Sequence, residues 1–228
     1  MRLHYKTISD NALKALKKFM QDETFNDFRL VGGTALALQL GHRISVDIDL
    51  FTDMEYGKMN TSRIIEFLKE NFIKVDGLDS LTYPAPGYTV YCGDNDTDLI
   101  KVDLFYIDTF LYPPVIENEL RISDIRDIAA MKVLAINNAN RSKDFWDIHE
   151  LMNTFNLNDI INFGIKRFPY NIDRESIIDK LLNITTETND PSIISLKGDY
   201  WEFVVEDIRE EAQKLLTSTR ILNNEGKF

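Results

Sequence analysis

The sequence predicts an α+β protein in which a mixed sheet with flanking helices is followed by a C-terminal helical bundle. The first observation is an apolar strand that runs into a Gly-Gly-Thr turn and an apolar helix at residues 28–40. The second is a strand of alternating polar and apolar residues over 46–51, typical of a sheet with one buried face. The third is a change to helical periodicity from about Ser123. These observations predict an α/β core over residues 1–120 and a helical domain over residues 121–228.

Strands and helices alternate through the first half. Ser9 is a predicted N-cap, because a serine before an apolar-periodic segment can bind the free N–H groups of the first helical turn. Gly41 is a predicted C-cap, because glycine readily adopts the left-handed conformation that ends many helices. The predicted elements are a helix over 9–22, a strand over 28–31, a helix over 34–40, a strand over 46–51, a helix over 61–71, and strands over 72–75, 88–92 and 99–106.

The second half is predicted to be helical from a cap at Ser123. The segment from Pro113 to Ser123 has no assigned element and forms a soft boundary between the halves. No internal repeat or low-complexity linker interrupts the chain. The predicted helices are one from Ser123 through Ala135, followed by helices over 143–155, 158–167, 173–182 and 199–216.

Composition narrows the class of protein. The 228 residues are 44% hydrophobic, which supports a real core, and no apolar run approaches the length of a membrane span. The N-terminus lacks the apolar stretch of a signal peptide, and the lone cysteine, Cys92, excludes an internal disulfide. We therefore expect a cytoplasmic protein without membrane association and with a buried, structural thiol. The net charge of −11 argues against a protein that coats nucleic acid, so a nucleic-acid substrate would need a local contact.

Two aspartates one residue apart mark the alternating strand. Because alternate residues of a strand share a face, Val46, Ile48 and Leu50 are predicted to face the core. Asp47 and Asp49 then share the other face. Two carboxylates at this spacing can converge on divalent cations, as phosphoryl and nucleotidyl transfer require. The alternative is a solvent-facing edge strand with two incidental acids.

Two further motifs accompany this pair. In the Gly-Gly-Thr turn at residues 32–34, glycines let the backbone approach a phosphate, and the helix N-terminus favours anions. On its own this turn could be only a tight connection. In the second motif, alternation places Lys101 and Asp103 on one face of a strand. If that strand neighbours the first, Asp103 completes a three-carboxylate site able to hold two Mg²⁺ ions. In isolation, Asp103 would be a surface residue without a functional role.

Charged residues at helical spacing form the last motif. Lys132 lies in the first predicted helix of the second half, and Asp144 and Asp147 are i,i+3 neighbours on the next. The alternative for all three is a solvated helix surface, with salt bridges from the aspartates to Arg141 or Lys143.

Together these segments resemble the AbiEii/AbiGii-type nucleotidyltransferases of the DNA polymerase β-like superfamily. The resemblance covers residues 30–151, and the tail after Phe155 matches no assignable pattern. It implies a polymerase β-like mixed sheet. The segments that carry it are Gly32-Gly33-Thr34-Ala35-Leu36-Ala37-Leu38, Gly41-His42-Arg43-Ile44-Ser45, Asp47-Ile48-Asp49-Leu50-Phe51, Lys101-Val102-Asp103, Ala130-Met131-Lys132 and Lys143-Asp144-Phe145-Trp146-Asp147.

The resemblance implies a metal and catalytic set. Asp47, Asp49 and Asp103 would bind two Mg²⁺ ions. Asp103 would lie near the attacking hydroxyl and assist its deprotonation. Lys132 would contact the triphosphate, and Asp147 would serve the fourth motif of the family.

The resemblance also implies a nucleotide-binding set. Gly33 and Thr34 would hold the nucleotide phosphates, although the family often has serine where Thr34 stands. His42 is interpreted either as a general base or as an orienting, structural residue. The full nucleotide-binding set is Gly33, Thr34, Arg43, Ser45, Lys101, Lys132 and Asp144.

The implied reaction is Mg²⁺-dependent transfer of a nucleoside monophosphate from a nucleoside triphosphate to an RNA, such as the 3′ end of a transfer RNA, or to a protein. Many relatives are toxins of bacterial toxin–antitoxin pairs, so the resemblance also implies a cognate antitoxin. Two alternatives stay open at this point. One is a transferase that modifies a small molecule of the antibiotic type, and the other is a catalytically silent binding module with the same fold.

Overall fold

Alternating apolar residues build a mixed sheet in the N-terminal part of the chain. A computed structural model describes the backbone of residues 2–139 and 141–225, and their side chains except those of 188 and 219–225. Contacts divide the chain into an N-terminal unit, Met1–Ile125, and a C-terminal unit, Arg126–Phe228. Whether the two halves act as separate domains stays a prediction. The strands of the N-terminal unit are β1 (Phe28–Val31), β2 (Ile48–Thr52), β3 (Lys74–Asp76), β4 (Gly87–Gly93), β5 (Ile100–Tyr106), β6 (Val115–Glu117) and β7 (Leu120–Ile122).

Strand pairing brings distant segments together. Within the described residues the sheet order is β3-β4-β5-β2-β1-β7-β6. β2 pairs antiparallel with β1 and parallel with β5, and β4 pairs antiparallel with β5. The mixed α+β architecture predicted from the sequence is therefore confirmed. The central position of β2 puts the aspartate strand in the middle of the sheet and excludes the alternative of an edge strand.

The α-helices that accompany the sheet begin and end at residues typical of helix caps. They are α1 (Asp10–Gln21), α2 (Gly32–Leu40) and α3 (Thr61–Asn71). The Ser9 hydroxyl oxygen accepts a hydrogen bond from the Ala12 N–H at 3.2 Å, as an N-cap does. Gly41 ends α2 with φ +71°, the left-handed C-cap conformation. Helix α2 begins two residues earlier than predicted, inside the Gly-Gly turn itself.

The prediction for Val46 is wrong. β2 begins at Ile48, and the Val46 side chain is 62% exposed rather than turned to the core. The segment before β2 forms other hydrogen bonds: the Ser45 N–H donates to the Thr7 carbonyl at 2.8 Å, and the Thr34 hydroxyl donates to the Asp47 carbonyl. These bonds hold residues 45–47 beside α2, outside the strand ladder.

A hairpin that the sequence analysis left unassigned completes the sheet. β6 and β7 pair antiparallel across Asn118 and Glu119, which both adopt positive φ (49° and 68°). A two-residue turn of this kind matches the twist of a hairpin, although glycine is the residue usually found there. β7 pairs parallel with β1, so the hairpin belongs to the sheet and the N-terminal unit extends to Ile125.

Aromatic side chains fill the core under the sheet. Phe25 is fully buried, and its ring lies 4.9 Å from that of Phe19 in α1 and 4.8 Å from that of Phe67 in α3. The Phe28 ring of β1 lies 5.6 Å away. These contacts join the two helices to one face of the sheet, which we call the core face. That face also carries the buried side chains of Leu30, Ile48, Leu50, Tyr88, Val90, Val102, Leu104, Leu120 and Ile122.

Helices build the C-terminal unit, as predicted. They are α4 (Ile125–Asn138), α5 (Ser142–Met152), α6 (Leu157–Arg167), α7 (Arg174–Leu182) and α8 (Trp201–Glu225). The predicted cap at Ser123 is wrong, because its hydroxyl is buried without a hydrogen-bond partner and α4 begins two residues later. Among the helices within residues 2–139 and 141–225, none combines the length and apolar character that a membrane span requires. The core of this unit includes Phe145, Ile148, Leu151, Ile160, Ile177, Leu181, Val204 and Ile208.

We expect Phe25→Ala to lower the free energy of unfolding by about 3–5 kcal/mol, because it empties the centre of the aromatic core. Urea unfolding followed by circular dichroism measures this change. Ile73→Ala is the control: its side chain is 84% exposed, so its removal should cost less than about 0.5 kcal/mol. Equal losses for the two variants would contradict the packing described here.

Cys92 is buried on the core face of β4, in agreement with a structural thiol. Burial raises the pKa of its thiol to about 12, against a small opposing effect of Lys18. Because only the thiolate reacts, we expect the folded protein to resist iodoacetamide at about pH 8 and the urea-unfolded protein to be alkylated. Mass spectrometry reads both states. Rapid alkylation of the folded chain would show that Cys92 is accessible.

Candidate active site

Asp49, Lys101 and Asp103, the strand residues predicted for the site, lie on one face of the sheet. We call it the open face; it consists of alternate residues of the central strands, including Asp49 and Phe51 of β2, Lys101 and Asp103 of β5, and Thr89 and Tyr91 of β4. The parallel register of β2 and β5 pairs Asp49 directly with Asp103. Both aspartates are half-buried, whereas their strand neighbours on the other face are fully buried. Asp47 lies one residue before β2 and is also half-buried.

Two neighbours hold the Asp103 carboxylate. The Thr89 hydroxyl donates to its Oδ1 at 2.6 Å, and the Lys101 ammonium donates to its Oδ2. Thr89 faces Asp103 across β4 and β5 in register. Thr89 was not among the predicted site residues, although its position between the buried Tyr88 and Val90 indicates the open face.

The charges of the open face act on Lys101. Burial is the largest single effect on the pKa of the Lys101 ammonium and lowers it, whereas the hydrogen bond to Asp103 raises it. The negative charges of Asp103, Asp47 and Asp49 add to that effect, and together they raise the pKa above its usual value. The ammonium is therefore the cation that this set of carboxylates attracts.

The same carboxylates suit a divalent metal. In the part of the chain that the structure describes, no three His, Cys, Asp or Glu side chains stand together as a ready ligand set. The donors nevertheless have the right chemistry, because Asp47, Asp49 and Asp103 offer the hard oxygen ligands that Mg²⁺ takes. The Lys101 ammonium, which donates to Asp103, is a cation held at this part of the open face.

Glycines let helix α2 begin against these carboxylates. Val31 of β1 pairs with Asp49 in register, and Gly32 follows with φ +68°. A Cβ atom at Gly32 would overlap the Asp49 carboxylate. A Cβ atom at Gly33 would overlap the guanidinium of Arg43. The N-terminus of α2, the positive end of its dipole, therefore lies beside one carboxylate and one arginine.

Thr34 and Ser45 hold the chain in place rather than facing solvent. Both are buried, and the Thr34 hydroxyl lies 2.9 Å from that of Ser45 and donates to the Asp47 carbonyl. Arg43 is buried too and donates to the Ile44 carbonyl at 3.1 Å, and His42 is buried beside it in the chain. The geometry favours a positioning role for Thr34 and Ser45, and their predicted contact with nucleotide phosphates stays a prediction.

In the C-terminal unit, the predicted charged residues form a buried ion-pair cluster. The Lys132 ammonium lies 2.9 Å from Asp144 Oδ1 and 2.6 Å from Asp147 Oδ2. Arg141 adds a hydrogen bond from Nε to Asp144 Oδ2 at 2.8 Å. Lys132 is nearly buried and both aspartates are completely buried, so the alternative of a solvated helix surface is wrong. Asp147 forms an ion pair with the Lys132 ammonium. Its predicted catalytic role stays a prediction.

Comparison with known proteins identifies the family. The model of the AbiEii family, described as a nucleotidyl transferase toxin of type IV toxin–antitoxin systems, matches residues 14–213. The chain belongs to this family. It is accordingly a nucleotidyltransferase of the AbiEii toxin family, as the resemblance of its motifs indicated. The match also includes residues after Phe155, a segment whose sequence matched no family pattern in the sequence analysis.

Individual proteins are similar to this chain in sequence or in fold. The chain is 29% identical over 214 residues to the uncharacterised protein aq_aa25 of Aquifex aeolicus, covering 89% of this chain and 95% of that one. Among solved structures, JHP933 from Helicobacter pylori is 18% identical, with a TM-score of 0.53 over 96% of this chain and 100% of that one. MenT4, a nucleotidyltransferase toxin from Mycobacterium tuberculosis, is 14% identical, with a TM-score of 0.59 over 88% and 82%.

We expect Lys132→Met to destabilise the C-terminal unit by about 3–5 kcal/mol, because it leaves two buried carboxylates without their shared cation. Chemical unfolding measures the loss. Arg209→Met, which removes an exposed cation from α8, is the matched control and should change stability by less than about 0.5 kcal/mol. A loss below about 1 kcal/mol for Lys132→Met would show that the cluster is not a buried ion-pair network.

Proposed function

We propose that this AbiEii-family protein transfers a nucleoside monophosphate from a nucleoside triphosphate to the 3′ hydroxyl of an RNA, with Mg²⁺ as its cofactor. The observation that carries the proposal is the in-register pair Asp49 and Asp103, with the Gly32–Gly33 turn against one side. This arrangement supplies an anion-binding backbone beside two carboxylates on neighbouring strands. A triphosphate with bound metal needs both of these features.

The N-terminus of α2 binds the triphosphate. The helix dipole favours negative charge at this end, and glycine at positions 32 and 33 lets a phosphate approach the backbone closely. The Arg43 guanidinium, which lies against Gly33, adds a fixed positive charge with several N–H donors. We assign the nucleotide phosphates to this corner of the open face.

Asp47, Asp49 and Asp103 would hold the Mg²⁺ ions. When bound, these ions neutralise the triphosphate, lower the pKa of the attacking hydroxyl and stabilise the leaving pyrophosphate. The deprotonated oxygen of the acceptor forms a bond to the α-phosphorus, and the bond from the α-phosphorus to the bridging oxygen breaks. Asp103 accepts the hydroxyl proton, since the Thr89 hydroxyl holds its carboxylate on the open face.

We assign the buried cluster of Lys132, Asp144 and Asp147 to the same reaction, because these residues match the motifs of the family. Asp144 and Asp147 fix the ammonium in one orientation, and two of its three protons point at these carboxylates. We assign its contact with the triphosphate on the resemblance alone.

The biological role we propose is that of a toxin controlled by a cognate antitoxin. The family description names type IV toxin–antitoxin systems, and transfer to an RNA end would block the functions that depend on that end. Because nucleoside triphosphates and RNA are found in the cytoplasm, we place the reaction there.

We expect Asp49→Ala to reduce nucleotide transfer by more than about a hundredfold. Loss of an outer-shell partner of a metal ligand already costs up to about a hundredfold, and loss of the ligand itself should cost more. The measurement is transfer of label from each α-labelled nucleoside triphosphate, with Mg²⁺, into total RNA and total protein of a bacterial extract. Circular dichroism should show that the fold is intact.

Asp94→Ala is the control for this experiment, since Asp94 lies in the exposed turn between β4 and β5. It should transfer at the wild-type rate. Label in protein and none in RNA would contradict the RNA acceptor that we propose and would identify a protein acceptor. Full transfer by Asp49→Ala would overturn the assignment of the site.

A further inference from the structure

The position of the acceptor follows from the in-line geometry of nucleotidyl transfer, so this inference rests on the proposed function. The attacking and leaving oxygens lie on opposite sides of the phosphorus. The α2 N-terminus, with Gly32 against Asp49, places the leaving phosphates on the β1 side of β2. The attacking hydroxyl must then approach from the β5 and β4 side of the open face.

An exposed aromatic ring lies on that side. Tyr91 of β4 pairs in register with Lys101 of β5, one step along the strand face from the pair Thr89 and Asp103. Its side chain is 41% exposed, whereas Tyr88 on the core face of the same strand is buried. The ring therefore stands about 7 Å along β4 from Thr89, the residue that holds the Asp103 carboxylate.

The charges around Tyr91 suit a nucleotide. Lys101 pairs in register with Tyr91, and its ammonium, which has three N–H donors, donates to Asp103. Asp76 of β3, which also pairs with Tyr91, is neutralised in part by Lys74 at 3.5 Å. An exposed aromatic ring next to a cation is the combination that binds single-stranded nucleic acid, through base stacking and a phosphate contact.

We propose that Tyr91 is the stacking platform for the 3′-terminal base of the RNA acceptor, with Lys101 beside the terminal phosphate. Tyr91 binds the base while Asp103 lies near the 3′ hydroxyl, so the subsite orients the terminal nucleotide for attack. A protein hydroxyl brings no flat base to this ring. The subsite therefore favours an RNA end over a protein acceptor, and it tolerates every base because each base has a flat face.

The test compares variants in the labelling of total bacterial RNA at RNA concentrations below saturation, where the rate reports kcat/KM for the acceptor. We expect Tyr91→Ala to lose about 5- to 100-fold in this rate, the range for a base that loses its stacking partner. Tyr91→Phe keeps the ring and should transfer within about twofold of wild type. The dissociation constant of the nucleoside triphosphate with Mg²⁺ should be unchanged in both variants.

Tyr83→Ala is the matched control, because Tyr83 is an exposed tyrosine that precedes β4 and lies outside the open face. It should label RNA at the wild-type rate. A Tyr91→Ala protein as fast as wild type would overturn the subsite while leaving the proposed transferase in place. A wild-type protein that binds nucleotide but labels no RNA would overturn the RNA acceptor and the subsite together.

Discussion

The parallel pairing of β2 with β5 is the constraint on which the candidate site depends. It places Asp49 opposite Asp103 although 53 residues separate them in the chain. It also buries the apolar residues that alternate with these aspartates along the two strands, on the other face of the sheet. A shift of one residue in either strand would turn its carboxylate into the core. The apolar face therefore specifies the register, and the register specifies the site. Stability and chemistry are coupled here through the alternation of a single strand pair.

Burial determines what each charged group can do. On the open face, Asp49, Asp103 and Lys101 keep part of their surface exposed and can meet a ligand. In the C-terminal unit, Asp144 and Asp147 are fully buried and act only through the groups that touch them. Buried carboxylates are tolerated when cations compensate them, and Lys132 and Arg141 do so. The first set is suited to binding and the second to positioning.

Local patterns were sufficient for much of the fold and for part of the site. Alternation alone put Asp49 and Asp103 each on the polar face of a strand, and Gly41 and Ser9 marked helix ends correctly. The partners of these strands could not be predicted, because β2 and β5 are not consecutive and their pairing is set by tertiary packing. The β6–β7 hairpin was missed because its strands are three residues long and its turn contains no glycine. Val46 was misplaced for a similar reason: hydrogen bonds from Thr34 and Ser45 keep this segment out of the ladder.

The most direct test of the central claim is a crystal structure of the protein with Mn²⁺ and a non-hydrolysable nucleoside triphosphate, read by the anomalous scattering of manganese. We expect manganese peaks in contact with Asp49 and Asp103, with the triphosphate against Gly32 and Gly33 and the Lys101 ammonium displaced from Asp103. Manganese and nucleotide bound at another part of the chain, with the Lys101–Asp103 ion pair intact, would contradict that claim.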